Sequence, residues 1–317
     1  TAQSVEVAMD NNGNAIIVWE QHNGQNCHIY MSELRNNIWK HPANISDYIS
    51  PNGSTYAFNP QVAMNNNGNA FIIWRQSDET GLYQVFKSKY SNGAWTHPSS
   101  LTEHISFDGT MAYEPQIAMD NNDNAIIAWR QSDGSNKQLF ISEYRNGLWT
   151  HPSSMSDSIS PDGGDVEIVS VKTAQIAMND NGKAVIVWSQ FDDLDTRQVF
   201  KSEYHNGTWT HPANLTDYMG ATGSYAYDPK VAIDANGNAL IVWSQYFIGQ
   251  NPHIFHSEYR NGIWSEPVSF SESISDIVSA NYQSIAMDSN GNAIIVWSQY
   301  DIDGSCFQMF KAENRNW

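Results

Sequence analysis

Six carboxylates crowd two short segments: Asp162, Asp165 and Glu167 in residues 161–167, and Asp192, Asp193 and Asp195 in residues 191–195. Oxygen donors at that density suit a hard divalent cation, calcium above all, and two of them at the right separation would make an acid and base pair. Asp165, Glu167, Asp192, Asp193 and Asp195 are the candidate ligands, with a solvated acidic loop as the plainer alternative. Four His-Pro pairs, at His41, His97, His151 and His211, have the residue type of a second metal set. Turns of the type Asp10-Asn11-Asn12-Gly13-Asn14 space oxygens as a calcium loop does, but they lack the later bidentate glutamate. Hydrogen bonding of the aspartate to its own turn accounts for them. No Gly-x-Ser-x-Gly elbow, His-Glu-x-x-His helix or phosphate-cradling glycine loop is present, and no motif for an organic cofactor.

What must position these groups is a repeat. The phrase VAMDNNGNAIIVW occurs six times with small changes, and the Trp closing it stands at positions 19, 74, 129, 188, 243 and 297. A second Trp follows at 39, 95, 149, 209, 264 and 317, which uses all twelve. Each copy reads as four short strands. In the second, residues 60–64 form the first strand and Asn-Gly chemistry at 66–69 the reversal. Residues 70–76 are a continuous apolar second strand, 84–90 a third, and Trp95 opens a fourth. Pro98 keeps that last strand at the sheet edge, because proline cannot donate to the ladder.

Six such sheets, with no helical periodicity, predict an all-β six-bladed β-propeller with four antiparallel strands per blade. One domain spans 1–317, with blades over 1–47, 56–103, 111–157, 171–217, 225–272 and 280–317. Trp317 stands where the sixth outer strand begins, so either the natural chain continues or the last blade has three strands. Because the first residue is Thr1, the chain reads as a piece of something longer. The order of strands and the Tyr-x-Asn-Gly-x-Trp turn, as in residues 144–149, resemble kelch-type and sialidase-type propellers in layout. Trp-x-Gln stands where kelch repeats carry paired glycines, and the turn is shorter than the sialidase Asp-box. The resemblance therefore implies the fold and no catalytic residues. A sialidase-like site would also need an arginine cluster, and only Arg75 and Arg130 hold the equivalent position, with Glu20, Ser189, Ser244 and Ser298 in the other copies.

This architecture sorts the candidates. Equivalent histidines on outer strands of different blades cannot converge on one ion, so the His-Pro pairs are structural. Glu6, Gln61, Gln116, Gln175, Lys230 and Ser284 align on first strands, where they form a polar collar that is either a hydrated lining or a ligand site. Longer loops at one rim carry many tyrosines, Tyr56, Tyr113, Tyr225 and Tyr227 among them, which either seal blade joints or offer a contact surface. Cys27 and Cys306 lie at similar points of the first and last blades. A disulfide there needs Cα atoms within about 7 Å, so the loops would have to lean together, and two free thiols are the alternative.

Sixteen basic against thirty-four acidic residues give a net charge of -18. Such a field repels nucleic-acid phosphates and anionic lipid, and no apolar run is long enough to insert in a membrane as a helix. These features lead to a non-enzymatic recognition module, secreted or at a bacterial cell surface, whose loop rim binds a glycan or a protein. The alternatives are a propeller-type, sialidase-like glycoside hydrolase and an architectural domain of a larger surface protein. Ligand identity and oligomeric state are not legible.

Overall fold

The computed structural model describes residues 1–53, 56–167, 174–221, 223–267, 269–275, 279–301, 303 and 306–314. Blade 1 consists of β1 (Ala2–Met9), β2 (Ala15–His22), β3 (Cys27–Arg35) and β4 (Ile38–Lys40). Blade 2 has β5 (Ala57–Met64), β6 (Ala70–Ser77), β7 (Tyr83–Ser91) and β8 (Ala94–Thr96), and blade 3 has β9 (Ala112–Met119), β10 (Ala125–Ser132), β11 (Lys137–Arg145) and β12 (Leu148–Thr150). Blade 4 follows with β13 (Ala174–Met178), β14 (Ala184–Phe191), β15 (Arg197–His205) and β16 (Thr208–Thr210). Blade 5 comprises β17 (Ser224–Ile233), β18 (Ala239–Phe247), β19 (His253–Arg260) and β20 (Ile263–Ser265). Blade 6 has β21 (Ala280–Met287), β22 (Ala293–Tyr300) and β23 (Phe307–Asn314).

Every sheet runs in chain order and is antiparallel, five with four strands and the last with three among the described residues. The fold is the six-bladed β-propeller expected from the repeat. Trp317, where a sixth outer strand is predicted to begin, lies outside the described residues. Contacts group the chain into two compact units, one of residues 1–135 and 139–158, the other of 136–138 and 159–317.

Local chemistry explains each strand. The last hairpin of blades 1 to 5 turns on two residues with positive φ, such as Asn92 (52°) and Gly93 (81°), the type I′ geometry that matches strand twist. Second strands are buried on both faces: Phe71 and Ile73 face one way, Ile72 and Trp74 the other, all without solvent exposure. In the first unit, Ile16, Val18 and Ile29 of blade 1 pack against Ala57, Ile72, Trp74 and Phe86 of blade 2. In the second, Val185, Val187 and Val199 of blade 4 meet Ala226, Ile241, Trp243 and Phe255 of blade 5.

The Trp-x-Gln motif is a lock. Residues two apart on a strand share a face, and all six indole Nε1–H groups donate to the glutamine two positions on, at 2.7–3.0 Å. Each indole also stacks on the aromatic ring opposite it on the third strand, with centroids 6.0–6.3 Å apart. The glutamine amide then holds the loop that leads into the blade: Gln76 Nε2 donates to Pro51 O at 2.8 Å and Gln190 Nε2 to Gly164 O at 3.0 Å. One side chain thus satisfies a buried donor and ties down an irregular backbone.

The first hairpin of each blade explains the abundance of Asn. Asp120 Oδ1 accepts the amides of Asn122 and Asn124 at 2.9 and 2.8 Å, and its Oδ2 accepts Asn124 Nδ2 at 2.7 Å. Blades 2 and 4 carry Asn65 and Asn179 in its place, and the freed amide donates to the neighbouring blade, Asn179 Nδ2 to Asp234 O at 3.1 Å. These carboxylates are consumed by their turns. Asp120→Ala strands three donors of a half-buried turn and is expected to cost about 1–2 kcal/mol, read from the urea midpoint.

Buried histidines make stability pH-dependent. Burial holds the imidazoles of His28 and His253 below the ordinary histidine range, with the charge of His22 adding to the effect at His28. The unfolded chain therefore takes up these protons first, at a pKa of about 6.5, so stability is full above that pH and falls as the pH drops toward the depressed folded values. Thermal midpoints measured from pH 8 to pH 5 should decline below about 6.5, and less steeply in His28→Gln/His253→Gln. A flat profile in the parent protein would contradict this.

Candidate functional site

At one end of the blades the first strand slips register at a matching point. The shift falls between Gln3 and Glu6, Phe58 and Gln61, Tyr113 and Gln116, Tyr227 and Lys230, and Asn281 and Ser284. Inside each bulge one non-glycine residue takes a left-handed backbone: Ser4 (53°), Asn59 (53°), Glu114 (43°), Asp228 (54°) and Tyr282 (57°). The matching residue of blade 4, Thr173, lies outside the described residues. Bulges re-aim side chains, and such conformations recur at ligand sites.

In the first unit these bulges gather charge. Glu20, itself buried, accepts Gln3 Nε2 at 2.8 Å and the backbone amide of Asn59 at 2.9 Å. Glu114 and Arg130 form an ion pair at 3.6 Å, with residue exposures of only 9% and 8%. Arg75, at the equivalent place in blade 2, is half-buried and lies over three aromatic rings, Phe58 at 5.7 Å, Tyr83 at 5.0 Å and Tyr113 at 5.7 Å. Tyr56, 44% exposed, stacks on Phe58 at 5.6 Å and extends this aromatic strip toward solvent.

The second unit uses the same positions differently. Asp228 is buried and pairs with Lys230; burial pushes its carboxyl above the usual range, against the pull of the lysine. Beside it Tyr227 donates to Asn281 Oδ1 at 2.7 Å, and burial, reinforced by Tyr246, pushes its phenol up to about 12. Tyr225 stacks on Tyr246 at 5.2 Å. Tyr227 therefore stays protonated and donates at neutral pH.

Gln61, Gln116 and Gln175 turn their amides back onto the preceding carbonyls at 2.9, 2.8 and 2.9 Å. Gln61 also reaches Glu6 Oε1 at 3.0 Å, while Lys230 binds Asp228. The acidic loops lie side by side, with Phe191 N donating to Asp165 O at 3.2 Å and Glu167 N to Ser189 O at 2.9 Å, but among the described residues no three of their carboxylates lie within 4.8 Å of one another. Asp165 takes the amide of Lys137 at 2.7 Å and its ammonium at 3.6 Å. Glu167 binds Arg197, with Nη2 to Oε1 at 2.9 Å, and Asp192 Oδ1 accepts the amides of Leu194 and Thr196 at 2.9 and 2.8 Å. Asp193 and Asp195 are exposed. Among the described residues, the three ligand-type groups that lie within 4.8 Å of one another are instead Asp78, His104 and Asp108. Asp78 there is engaged by its own turn through Thr80 and Leu82, at 2.8 and 3.0 Å.

The His-Pro histidines are structural: each Nδ1 meets a third-strand serine hydroxyl at 2.8–2.9 Å, and each ring stacks on the Trp two residues before it. Cys27 and Cys306 are both free thiols, the first buried and the second exposed, so the disulfide considered from sequence is absent. Cys27 is enclosed at the start of β3, where burial pushes its thiol up to about 11. Glu20, Glu114 and Asp228 were not legible as site residues. The sequence signal for the first two was no more than a carboxylate or arginine following Trp, because the partners lie sixteen or more residues apart.

No protein-family model and no curated protein matches this chain. Solved structures share its fold. A Dyadobacter fermentans protein of unknown function aligns over 98% of this chain and 94% of its own, at TM-score 0.50 and 10% identity. An ulvan lyase from a new family of polysaccharide lyases aligns over 97% and 82%, at 0.50 and 9%. A further polysaccharide lyase aligns over 93% and 74%, at 0.54 and 9%. At such identities the likeness concerns backbone alone, and the chain stands among these proteins as a similar all-β fold.

Proposed function

We propose that this chain is a glycan-recognition module whose contact surface is the bulge end of blades 2 and 3. The observation that carries the reading is the strip of Tyr56, Phe58, Tyr83 and Tyr113 around the Arg75 guanidinium. Flat apolar faces beside hydroxyl and guanidinium donors suit sugar rings, which present C–H faces and equatorial hydroxyls together. Rigid strand ends hold these groups, so little ordering opposes binding. Two proteins of similar fold are polysaccharide lyases. The module acts outside the cytoplasm of a bacterium.

A second reading is a glycan-cleaving enzyme, favoured by the buried Asp228 carboxyl beside Tyr227 in the other unit. A glycan array run alongside turnover assays on fluorogenic glycosides separates the two. Saturable binding without release, weakened on the order of tenfold by Tyr56→Ala, supports recognition. Release abolished by Asp228→Asn supports the enzyme, and silence in both assays leaves a protein partner or an architectural role.

A further inference from the structure

We infer that the group bound at Arg75 is an oxyanion, a carboxylate or sulfate ester borne by the glycan. The inference rests on the recognition reading above. Six arginines lie among the described residues. Arg35, Arg130, Arg145, Arg197 and Arg260 each stand against a glutamate, Glu33, Glu114, Glu143, Glu167 and Glu258 in turn. Among the described residues Arg75 has no such partner, in a chain with eighteen more acidic than basic residues.

The reason is local. In blade 3 the bulge residue is Glu114, which neutralises Arg130. Blade 2 has Asn59 at that position, and Asn59 gives its backbone amide to Glu20 instead. The internal anion has been removed while the cation has been kept. Ring faces offset part of its charge but accept its N–H groups poorly; Arg75 Nε is buried with no acceptor, a trait it shares with the ion-paired Arg35, so the missing carboxylate is what sets Arg75 apart. A guanidinium offers a planar fork of donors that fits two oxygens of a carboxylate or sulfate side by side. Tyr83 and Tyr113 wall the position with neutral groups, so an arriving oxyanion meets no carboxylate on Arg75 to displace.

The test titrates the full chain by calorimetry with neutral, uronate and 6-O-sulfated tetrasaccharides of matched linkages, at low and physiological salt. At least one anionic series should bind on the order of tenfold tighter than its neutral counterpart, the gain shrinking with salt. The uronate and sulfate arms show which oxyanion fits. Arg75→Met should erase the gain, so that anionic and neutral series bind alike, while Arg75→Lys keeps charge without the fork and should retain only part of it. Equal affinity for all series, untouched by Arg75→Met, would overturn the oxyanion inference and leave glycan recognition standing. Absence of binding across the panel would remove both. The comparison of series in the parent protein needs no variant, so it holds even if a substitution impairs folding.

Discussion

Trp129→Ala should cost about 3–5 kcal/mol of folding stability, because it empties a fully buried site in the first unit. Gln131→Leu should cost about 2–3 kcal/mol although it conserves volume. Its Oε1 accepts the indole of Trp129 at 2.9 Å and the amide of Phe107 at 3.2 Å, while its Nε2 donates to Phe107 O at 2.7 Å and Thr110 O at 3.1 Å. Leucine would orphan all four. Trp129→Phe removes the indole donor in advance, so Gln131→Leu in that background should cost about 1 kcal/mol less. Urea midpoints of the four proteins give the coupling. A coupling of zero would mean that the recurring Trp-x-Gln is packing alone.

The second large effect concerns charge. Arg130→Met leaves Glu114 buried without its cation and should cost about 3–5 kcal/mol. Adding Glu114→Gln should return much of that loss, since replacing both partners of a buried pair is far cheaper than breaking it. Arg75→Met, at the equivalent place in the next blade, removes no ion pair and should move stability by less than about 1 kcal/mol. Equal losses for Arg75→Met and Arg130→Met would show that the two arginines play one structural role, and the recognition reading would fall.

Much of the fold was legible because its signals are short-range and repeated. The Asn-Gly reversals, the paired tryptophans and Pro98 each act through backbone conformation within a few residues, and the strands stand where those residues put them. The His-Pro pairs were legible for a geometric reason, since like residues on separate outer strands cannot meet. The Trp-x-Gln lock was visible as a spacing, but its meaning required knowing that the two side chains share a buried face.

The site was harder to read because it is made by backbone. Ser4, Asn59, Glu114, Asp228 and Tyr282 share a left-handed conformation and no chemistry, so no residue type marks the bulge. The acidic loops drew attention by density alone; they do meet through their backbones, but their carboxylates go to separate partners, Asp192 to its own turn and Glu167 to Arg197, thirty residues on. The special status of Arg75 depends on the identity of a residue sixteen positions earlier. Only the register of the bulge reveals that dependence.

The most direct measurement follows the Nε–Hε resonances of the arginines by NMR while a uronate or sulfated tetrasaccharide is titrated in. The Arg75 signal should move and saturate with the calorimetric affinity, while those of the ion-paired arginines stay in place. Saturable binding that leaves the Arg75 resonance unmoved would place the ligand elsewhere and contradict the assignment of this surface.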